Sequence, residues 1–251
     1  MINMKENKIL FSTDVFFKEV EDIEPIPAVR DIPEWYKKLS AHGVGKLNIK
    51  GCQPVQDALT SGYLLRLPQD MEITYNFFNK DIGKKIIKVN FAMENSHFYH
   101  NLLQTSPQEH NTAQVGGENS FLAQKNSSHG KAPIPKILNP FKILTPPGYS
   151  CLFLPPLLRE YDYFHIIPGV VDTDTYHQTV NFPFTFNKDK YPSYKKIFKR
   201  GTPYVQVIPF KRNNWKMEIE YKEDFRNADF NWGTKIIHRY KQLFWNKKKY
   251  S

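Results

Sequence analysis

Short runs of β-branched and aromatic residues dominate the first half of the chain. The runs YLLRL, MEITYNF and KIIKVNF lie between residues 63 and 91, and each is bounded by Pro, Asp or Gly. Branched and aromatic residues favour strands, whereas Pro, Asp and Gly favour turns. The pattern predicts antiparallel strands that are joined by tight turns at 68–70 and 80–83.

Similar runs return in the second half as YSCLFL, YFHII, TVNFPFTF, YVQVIPF and WKMEIEY. In the last of these, the apolar residues at 215, 217, 219 and 221 alternate with polar ones, which is the period of a half-buried strand. The 18 prolines fall beside the runs rather than inside helical patterns. The chain is therefore predicted to be mainly β, as a sandwich, a distorted barrel or a related unit of short antiparallel strands.

Two segments have helical features. Near the start, Asp31 precedes Pro33 and the aromatic pair at 35–36, which predicts a short capped N-terminal helix. Near the end, apolar residues between 236 and 244 recur with helical spacing, which predicts an amphipathic helix over 232–251.

Between these features, the segment 105–136 is polar and contains Gly-Gly and Ser-Ser pairs, which predicts a long surface loop. No composition change marks a domain boundary, so residues 1–251 are predicted to form a single domain. A chain of 251 residues can bury a sizeable core without disulfides. No window of about 18 apolar residues exists, so we expect no membrane span and no membrane partner.

The net charge of +10 is concentrated in the last quarter of the chain. Residues 1–187 carry 18 basic and 19 acidic side chains, whereas residues 188–251 carry 17 and 6. The basic residues near the end are Arg239, Lys241, Lys247, Lys248 and Lys249. A basic segment implies an acidic partner, such as nucleic acid, an acidic protein surface or a phosphorylated ligand, although it also serves solubility.

Two acids offer candidate chemistry. Asp172 and Asp174 follow an apolar run at a predicted strand end, where a carboxylate can orient a water or bind a divalent cation. Aspartates in turns also have a purely structural use, because they bond nearby backbone N–H groups. His97 and His100 have helical spacing, but no third metal ligand can be named. The chain lacks a P-loop, a dinucleotide-binding G-x-G-x-x-G and a G-x-S-x-G nucleophile motif.

Several segments between residues 146 and 208 match a known order of motifs. They are the Pro-Pro-Gly at 146–148, an apolar strand that reaches Pro155, the segment PGVVDTD at 168–174, and GTPYVQVI at 201–208. In order and approximate spacing, these segments resemble the signature segments of the trimeric dUTPase and dCTP deaminase superfamily. The resemblance implies a β-clip fold, a distorted barrel of short strands, and a homo-oligomer, with a trimer favoured.

The resemblance also implies roles for individual residues. Asp172 falls where dUTPases hold the carboxylate that serves the attacking water, and Gly201 and Gln206 fall on the later Gly and phosphate-side Gln. Where the family stacks uracil on a Tyr, this chain has Thr175, and Tyr176 is adjacent. If a nucleotide is bound, Mg²⁺ is the cofactor to expect; the resemblance names no other.

The same residue-by-residue comparison with the family argues against the hydrolysis reaction of dUTPases. Where the family has Pro-Arg-Ser-Gly to bind phosphates, this chain has Pro-Pro-Leu-Leu at 155–158, and Arg159 follows directly. Each lost charge-assisted hydrogen bond to a phosphate would cost roughly 1.5–3 kcal/mol. The family's Gly-rich C-terminal arm is also replaced by the lysine-rich segment. The parent hydrolysis is therefore not expected.

The whole chain, through IPEWYKKL, TPPGYS and GVVDTDT, also resembles uncharacterised proteins of tailed phages. The leading hypothesis is a non-catalytic, dUTPase-like β-clip protein of phage type that acts as an oligomeric binding or structural component. One alternative is a nucleotide-processing enzyme, pyrophosphatase-like, that uses Asp172 to position water with Asp174 or Gln206 assisting. Another is a nucleic-acid-binding protein that uses its basic last quarter. The expected location is the cytoplasm of an infected or host bacterial cell, or the virion.

Overall fold

The computed structural model describes most of the chain, namely residues 8–40, 42–43, 46–76, 87–91, 109–110, 134–159, 163–187, 189–221 and 240–251. Its strands are β1 (Leu10–Ser12), β2 (Ile26–Pro27), β3 (His42–Gly43), β4 (Lys46–Leu47), β5 (Tyr63–Arg66), β6 (Met71–Asn76), β7 (Ile87–Phe91), β8 (Glu109–His110), β9 (Ile134–Ile137), β10 (Lys142–Leu144), β11 (Tyr149–Leu154), β12 (Phe164–Ile166), β13 (Gly169–Val171), β14 (Phe182–Phe186), β15 (Ser193–Phe198) and β16 (Pro203–Lys211).

These strands form antiparallel sheets, as the alternating runs predict. The largest sheet has the order β13-β11-β16-β5-β2, and a second has the order β12-β14-β9-β8. A third sheet is β15-β6-β7, and β1 pairs with β10 and β3 with β4. The mainly β prediction is thus confirmed. Within the described residues the strand pairings do not close into a barrel.

The three larger sheets enclose one apolar core. In β14, Phe182, Phe184 and Phe186 are all buried, because residues at i, i+2 and i+4 of a strand share one face. The rings pack edge to face, with Phe164 and Phe184 at 5.2 Å between centroids. Other buried members of this core come from all three sheets: Leu65, Met71, Ile73, Cys151, Phe153, Ile166, Phe198, Val205 and Val207.

The centre of the largest sheet is the pairing of β11 with β16. Its register runs from Tyr149 opposite Lys211 to Leu154 opposite Gln206. On the other side of β16, β5 begins directly after Gly62, whose φ is +71° and whose backbone lies against the carbonyl of Val207. A glycine is required there, because a Cβ would overlap that carbonyl.

Within the described residues, two α-helices lie between β2 and β5 of the largest sheet. Helix α1 spans Glu34–Lys38, and α2 spans Gln53–Thr60. The predicted N-terminal helix is therefore present, but its cap is not the predicted one. Pro33 occupies the N-cap position and no side chain caps the helix, since the carboxylate of Asp31 instead accepts a hydrogen bond from Arg159 (Nη1–Oδ2 3.1 Å).

The predicted strand WKMEIEY is absent. Strand β16 ends at Lys211, opposite the first residue of β11, and residues 212–221 have no regular secondary structure. Alternation makes a segment suitable for a sheet, but a strand also needs a neighbour with which to form hydrogen bonds. Past Lys211, the described part of this chain provides none.

The predicted C-terminal helix over 232–251 differs as well. In the described residues it is confined to one π-helical turn at Tyr240–Phe244, and 245–251 are not helical. The reason is tertiary contact: Trp245 and Lys248 both bind Asp57 of α2, and the ring of Tyr250 packs on Tyr63 at 6.0 Å. Residues 232–239 lie outside the described residues.

Of three further sequence predictions, one is partly tested and two are not tested. At the two ends of the predicted loop over 105–136, β8 and the start of β9 are strands, and the remainder lies outside the described residues, as does the predicted turn at 80–83. The single-domain organisation of 1–251 stays a prediction. In the part of the chain that is described, none of the helices combines the length and apolar character needed to cross a membrane.

Glycine replacements test the close approach of β5 to β16. Gly62→Ala should lower the free energy of unfolding by roughly 3 kcal/mol or more, because it adds backbone overlap to left-handed strain. Gly148→Ala is the matched control, since φ is +82° there but a Cβ would meet nothing within 4 Å. It should cost only about 1–2 kcal/mol. Denaturant unfolding measures both, and equal losses would contradict the claim that the carbonyl of Val207 imposes the glycine.

Candidate functional site

The two acids singled out in the sequence lie at the end of β13, where both contact Arg212. The Asp174 carboxylate accepts hydrogen bonds from both terminal nitrogens of Arg212, with 2.8 Å between Nη1 and Oδ1. The backbone N–H of Gly148 donates to its Oδ2 at 2.8 Å. The side chain of Asp174 is only 6% exposed. Asp174 is thus a buried, fully engaged carboxylate.

Asp172 is bound less tightly. Its Oδ1 accepts a hydrogen bond from Ser150 Oγ at 2.6 Å and lies 3.2 Å from Arg212 Nη1. Its side chain is 60% exposed. The sheet register explains the grouping, because Tyr149 lies opposite Lys211 and Cys151 opposite Val171. Ser150 lies in β11 between these two pairs, Asp172 directly follows β13, and Arg212 directly follows β16. The three residues therefore meet at one end of the sheet.

The electrostatics make Asp174 a poor general base. Hydrogen bonds from Arg212 hold the pKa of Asp174 below its ordinary value. The same contact raises the pKa of the Arg212 guanidinium. A general base works best when its pKa lies near the working pH, and a carboxylate with a lowered pKa is further from that range. The arrangement is chemically that of a structural ion pair.

Gln206 lies away from the acids. It is buried, and its side-chain amide makes three hydrogen bonds: Oε1 accepts from Leu157 N at 3.1 Å, and Nε2 donates to the carbonyls of Ala58 (3.0 Å) and Ser61 (2.7 Å). Gln206 and Arg212 are six residues apart along an extended segment, about 20 Å at the usual strand rise. Within one chain, the structure therefore does not bring Gln206 to Asp172.

Gly201 and Tyr176 lie in turns. Gly201 has φ of +81° between β15 and β16, its N–H donates to the carbonyl of Leu67 at 2.9 Å, and a Cβ there would crowd Asp22. The backbone N–H of Tyr176 donates to the carbonyl of Asp172 at 2.8 Å, so Tyr176 belongs to the same turn as the acids. Its side chain is 44% exposed.

The segment 155–159 is held by three contacts. Besides Gln206, the indole of Trp35 donates to the carbonyl of Leu158 at 2.8 Å. Arg159 donates to both the carboxylate and the carbonyl of Asp31. The one cation of this segment is therefore already paired, and its position does not restore a free phosphate-binding arginine.

Among the lysines near the C-terminus, one forms an ion pair with an earlier residue and three are exposed. Lys248 donates to Asp57 Oδ2 at 2.6 Å, and the indole of Trp245 donates to the same oxygen at 2.9 Å. Burial acts to raise the pKa of Asp57, but hydrogen bonds from Lys248 and two neighbouring side chains outweigh it and lower the pKa. The side chains of Lys241, Lys247 and Lys249 are exposed. Arg239 lies outside the described residues.

Metal binding has little support among the described residues, which contain no group of three or more His, Cys, Asp or Glu side chains that would hold an ion. His97 and His100 lie outside them. Asp172 and Asp174 both contact Arg212, whose positive charge opposes a cation at the same oxygens. Mg²⁺ is therefore still expected only if the protein binds a nucleotide.

Sequence reasoning missed Arg212, Ser150 and Asp57. Arg212 lies one residue past the end of β16, and Ser150 lies within an apolar run, so neither belongs to a recognisable motif. The one available signal was strand order. If β11 is paired with both β13 and β16, the residues that flank the three strand ends must meet.

Comparison with solved structures finds similarity to two phage enzymes. A mutant dUTPase from phage phi11 of S. aureus is 16% identical, with a TM-score of 0.25, over 37% of this chain and 75% of that chain. A mutant dUTPase of Staphylococcus bacteriophage 80alpha, solved with dUpNHpp, is 15% identical, with a TM-score of 0.24, over 39% of this chain and 72% of that chain. No protein-family model matches the chain, and no curated protein does. At these TM-scores the similarity decides neither topology nor activity.

Replacing each acid by its amide tests whether Asp174 and Asp172 stabilise the fold through Arg212. At neutral pH, Asp174→Asn should lower the melting temperature by several degrees, and Asp172→Asn, the matched control, should lower it less because Asp172 is largely exposed.

The stability that Asp174 contributes should decrease as the pH falls. Because the folded-state pKa of Asp174 is lowered, its contribution is complete above the ordinary aspartate value of about 3.9 and is lost as the pH falls through the lower folded-state value. The difference in melting temperature between wild type and Asp174→Asn should therefore shrink in acid. A larger effect for Asp172→Asn, or a difference that is independent of pH, would contradict the reading.

The contact of the C-terminal residues with α2 can be tested by proteolysis. Asp57→Asn removes the charge that binds Lys248, so trypsin should cut at Lys247–Lys249 several-fold faster, as mass spectrometry of the C-terminal fragments would measure. Asp189→Asn, at an exposed site elsewhere, is the control and should leave the rate unchanged. Equal rates in both variants would mean that Asp57 does not hold this segment.

Proposed function

We propose that the protein is a non-catalytic, homo-oligomeric β-protein, and that residues Trp215–Tyr221 bind a second copy of the chain. This segment is called the arm below. The observation that carries the proposal is the exposure of its four alternating apolar side chains: Trp215 is 89% exposed, Met217 83%, Ile219 66% and Tyr221 93%. Contiguous exposed apolar side chains of this size mark interaction sites in soluble proteins.

The arm has the geometry of a strand that lacks its neighbour. Lys216 and Glu218 approach each other to 3.6 Å, which indicates that residues at i and i+2 share one side. By the same alternation, the four apolar side chains belong to the other side. A segment with one apolar and one charged face is suited to joining a sheet edge.

The base of the arm is fixed by the acids. Arg212, three residues before Trp215, is held by Asp174 and Asp172, and its backbone N–H donates to the carbonyl of Gly148 at 2.8 Å. This anchoring gives the carboxylates a role that needs no substrate. It also reduces the conformational entropy that the arm loses on binding, because its first residues are already ordered.

A second copy of the chain offers a matching acceptor in β15. This edge strand is six residues long, with Ile197 49% exposed, and the arm has seven residues. The strand carries Lys195 and Lys196, whereas the polar face of the arm carries Glu218 and Glu220 beside Lys216. Opposite charges on paired strands contribute roughly 0.2–1 kcal/mol each, so the charges favour this pairing over self-pairing of two β15 strands.

The energetics support a stable assembly. Full burial of a large apolar side chain stabilises by about 1.5–3 kcal/mol, and each copy contributes four of them. Exchange of arms around a closed ring buries every arm and gives each arm a strand with which to pair. The resemblance to trimeric dUTPases favours a ring of three.

Sedimentation equilibrium tests the assembly. The wild-type protein should sediment as an oligomer at micromolar concentration, and replacing all four apolar arm residues with serine should give the mass of one chain. Lys216→Ser with Glu218→Ser is the matched control, because it alters the charged face of the same segment, and it should keep the oligomer. Ile197→Lys in β15 should weaken it. A monomeric wild type, or an oligomer that persists in the quadruple variant, would refute the proposal.

A separate assay tests the absence of catalysis. Purified protein is incubated with each deoxynucleoside triphosphate and Mg²⁺, and no turnover above about 0.1 per second is expected, a rate well below that of typical enzymes. Faster hydrolysis that disappears in Asp172→Asn would favour the alternative of a nucleotide-processing enzyme. Faster hydrolysis that survives that substitution would place the chemistry elsewhere in the chain.

A further inference from the structure

Residues 240–251 present large apolar side chains on the protein surface. Tyr240 is 45% exposed, Leu243 60% and Phe244 59%. Their spacing of i, i+3 and i+4 groups them on one side of the π-helical turn. A single exposed apolar side chain needs no explanation, but a group of this size marks an interaction site.

The same residues carry a positive charge that is not neutralised within the segment. Lys241, Lys247 and Lys249 are exposed, and residues 240–251 include no acid. The fourth lysine, Lys248, forms an ion pair with Asp57 of α2 (Nζ–Oδ2 2.6 Å). The apolar and basic side chains that are exposed here are called the terminal patch below: Tyr240, Lys241, Leu243, Phe244, Lys247 and Lys249.

The segment is fixed to the fold by a different set of side chains. The indole of Trp245 donates to Asp57 Oδ2 at 2.9 Å, and Lys248 donates to the same oxygen. The ring of Tyr250 packs on that of Tyr63, with 6.0 Å between centroids. Because these contacts already order the segment, the terminal patch loses less conformational entropy when it binds a partner.

The combination of side chains restricts the chemistry of that partner. Lysines alone would suit any polyanion, and the ring of Phe244 could stack on a base of a nucleic acid. Leu243 gains nothing from phosphates or from stacking, and it requires an apolar medium next to the negative charge. The surface of an anionic bilayer provides both, because its charged headgroups lie directly over acyl chains.

We propose that the terminal patch binds the surface of an anionic lipid bilayer. Leu243 and Phe244 enter the boundary between headgroups and acyl chains, and the three lysines of the patch contact the headgroups. The sequence-based expectation of no membrane partner rests on the absence of a spanning segment, and a peripheral contact of this kind needs none. The assignment uses neither the acids nor the arm, so it does not depend on the oligomer proposed above.

Flotation of the intact protein with lipid vesicles tests the assignment. The probes are vesicles of equimolar phosphatidylserine and phosphatidylcholine, and vesicles of phosphatidylcholine alone. Each lysine near an anionic surface contributes about fivefold in binding, so the anionic vesicles should be preferred on the order of a hundredfold. This preference should decrease as salt is added. Equal binding to both kinds of vesicle, or binding to neither, overturns the proposal.

Charge variants locate the contact on the protein. Replacing the three patch lysines, as Lys241→Gln with Lys247→Gln and Lys249→Gln, should weaken binding to the anionic vesicles on the order of a hundredfold. The matched control makes the same change in net charge at three exposed lysines elsewhere, as Lys18→Gln with Lys142→Gln and Lys211→Gln. It should lose only a small part of the binding. Equal losses in the two triple variants would mean that net charge, and not the terminal patch, attracts the vesicles, and would overturn the assignment.

An apolar variant separates a bilayer from a nucleic acid. Leu243→Ser with Phe244→Ser keeps every charge, and it should weaken binding to the anionic vesicles at least about tenfold because the inserted side chains are lost. Both side chains are exposed, so the variant should keep the melting temperature of the wild type. Unchanged vesicle binding in this variant would overturn the proposal. So would binding of a single-stranded oligothymidylate by a wild-type protein that does not float with the anionic vesicles, since the lysines would then serve a nucleic acid.

Discussion

The pairing of β11 with β16 is the constraint on which the contacts of both the acids and Gln206 depend. These two strands form the centre of the largest sheet, and their apolar side chains, such as Phe153 and Val207, lie in the core. Each end of the ladder is closed by polar groups. Gln206 connects one end to α2 and to the segment 155–159, and Arg212 connects the other end to Asp174 and Asp172. A shift of register would break both sets of contacts together, because every side chain would change face.

The polar contacts at the two ends of the ladder give structural roles to residues that the sequence suggested for chemistry. At one end, Arg212, which directly follows β16, contacts both Asp174 and Asp172. At the other end, the side-chain amide of Gln206 makes three hydrogen bonds within the chain, to Leu157, Ala58 and Ser61. Both the two acids and Gln206 are residue types that serve in chemistry elsewhere, but their contacts within this chain are structural.

The charge of the last quarter has a similar explanation in part. The basic excess suggests a polyanion partner, yet Arg212, Lys199 and Lys248 each form an ion pair within the chain, with Asp174, Asp70 and Asp57 respectively. These pairs connect the basic quarter to the earlier, more acidic part of the sequence. The basic excess of the last quarter therefore reflects ion pairs within the chain as well as a partner outside it. The exposed cations are the ones that contribute to the electrostatic field felt by such a partner.

What the sequence determined by itself is the mainly β class, the short N-terminal helix and seven of the strands, namely β5, β6, β7, β11, β12, β14 and β16, because alternation, proline placement and turn residues are local properties. It could not determine that WKMEIEY stays outside every sheet of the described chain, that Asp31 binds Arg159 instead of capping α1, or that Trp245 and Lys248 bind Asp57. These outcomes depend on which residues meet across more than 100 positions of sequence, and the register of the sheets alone decides that.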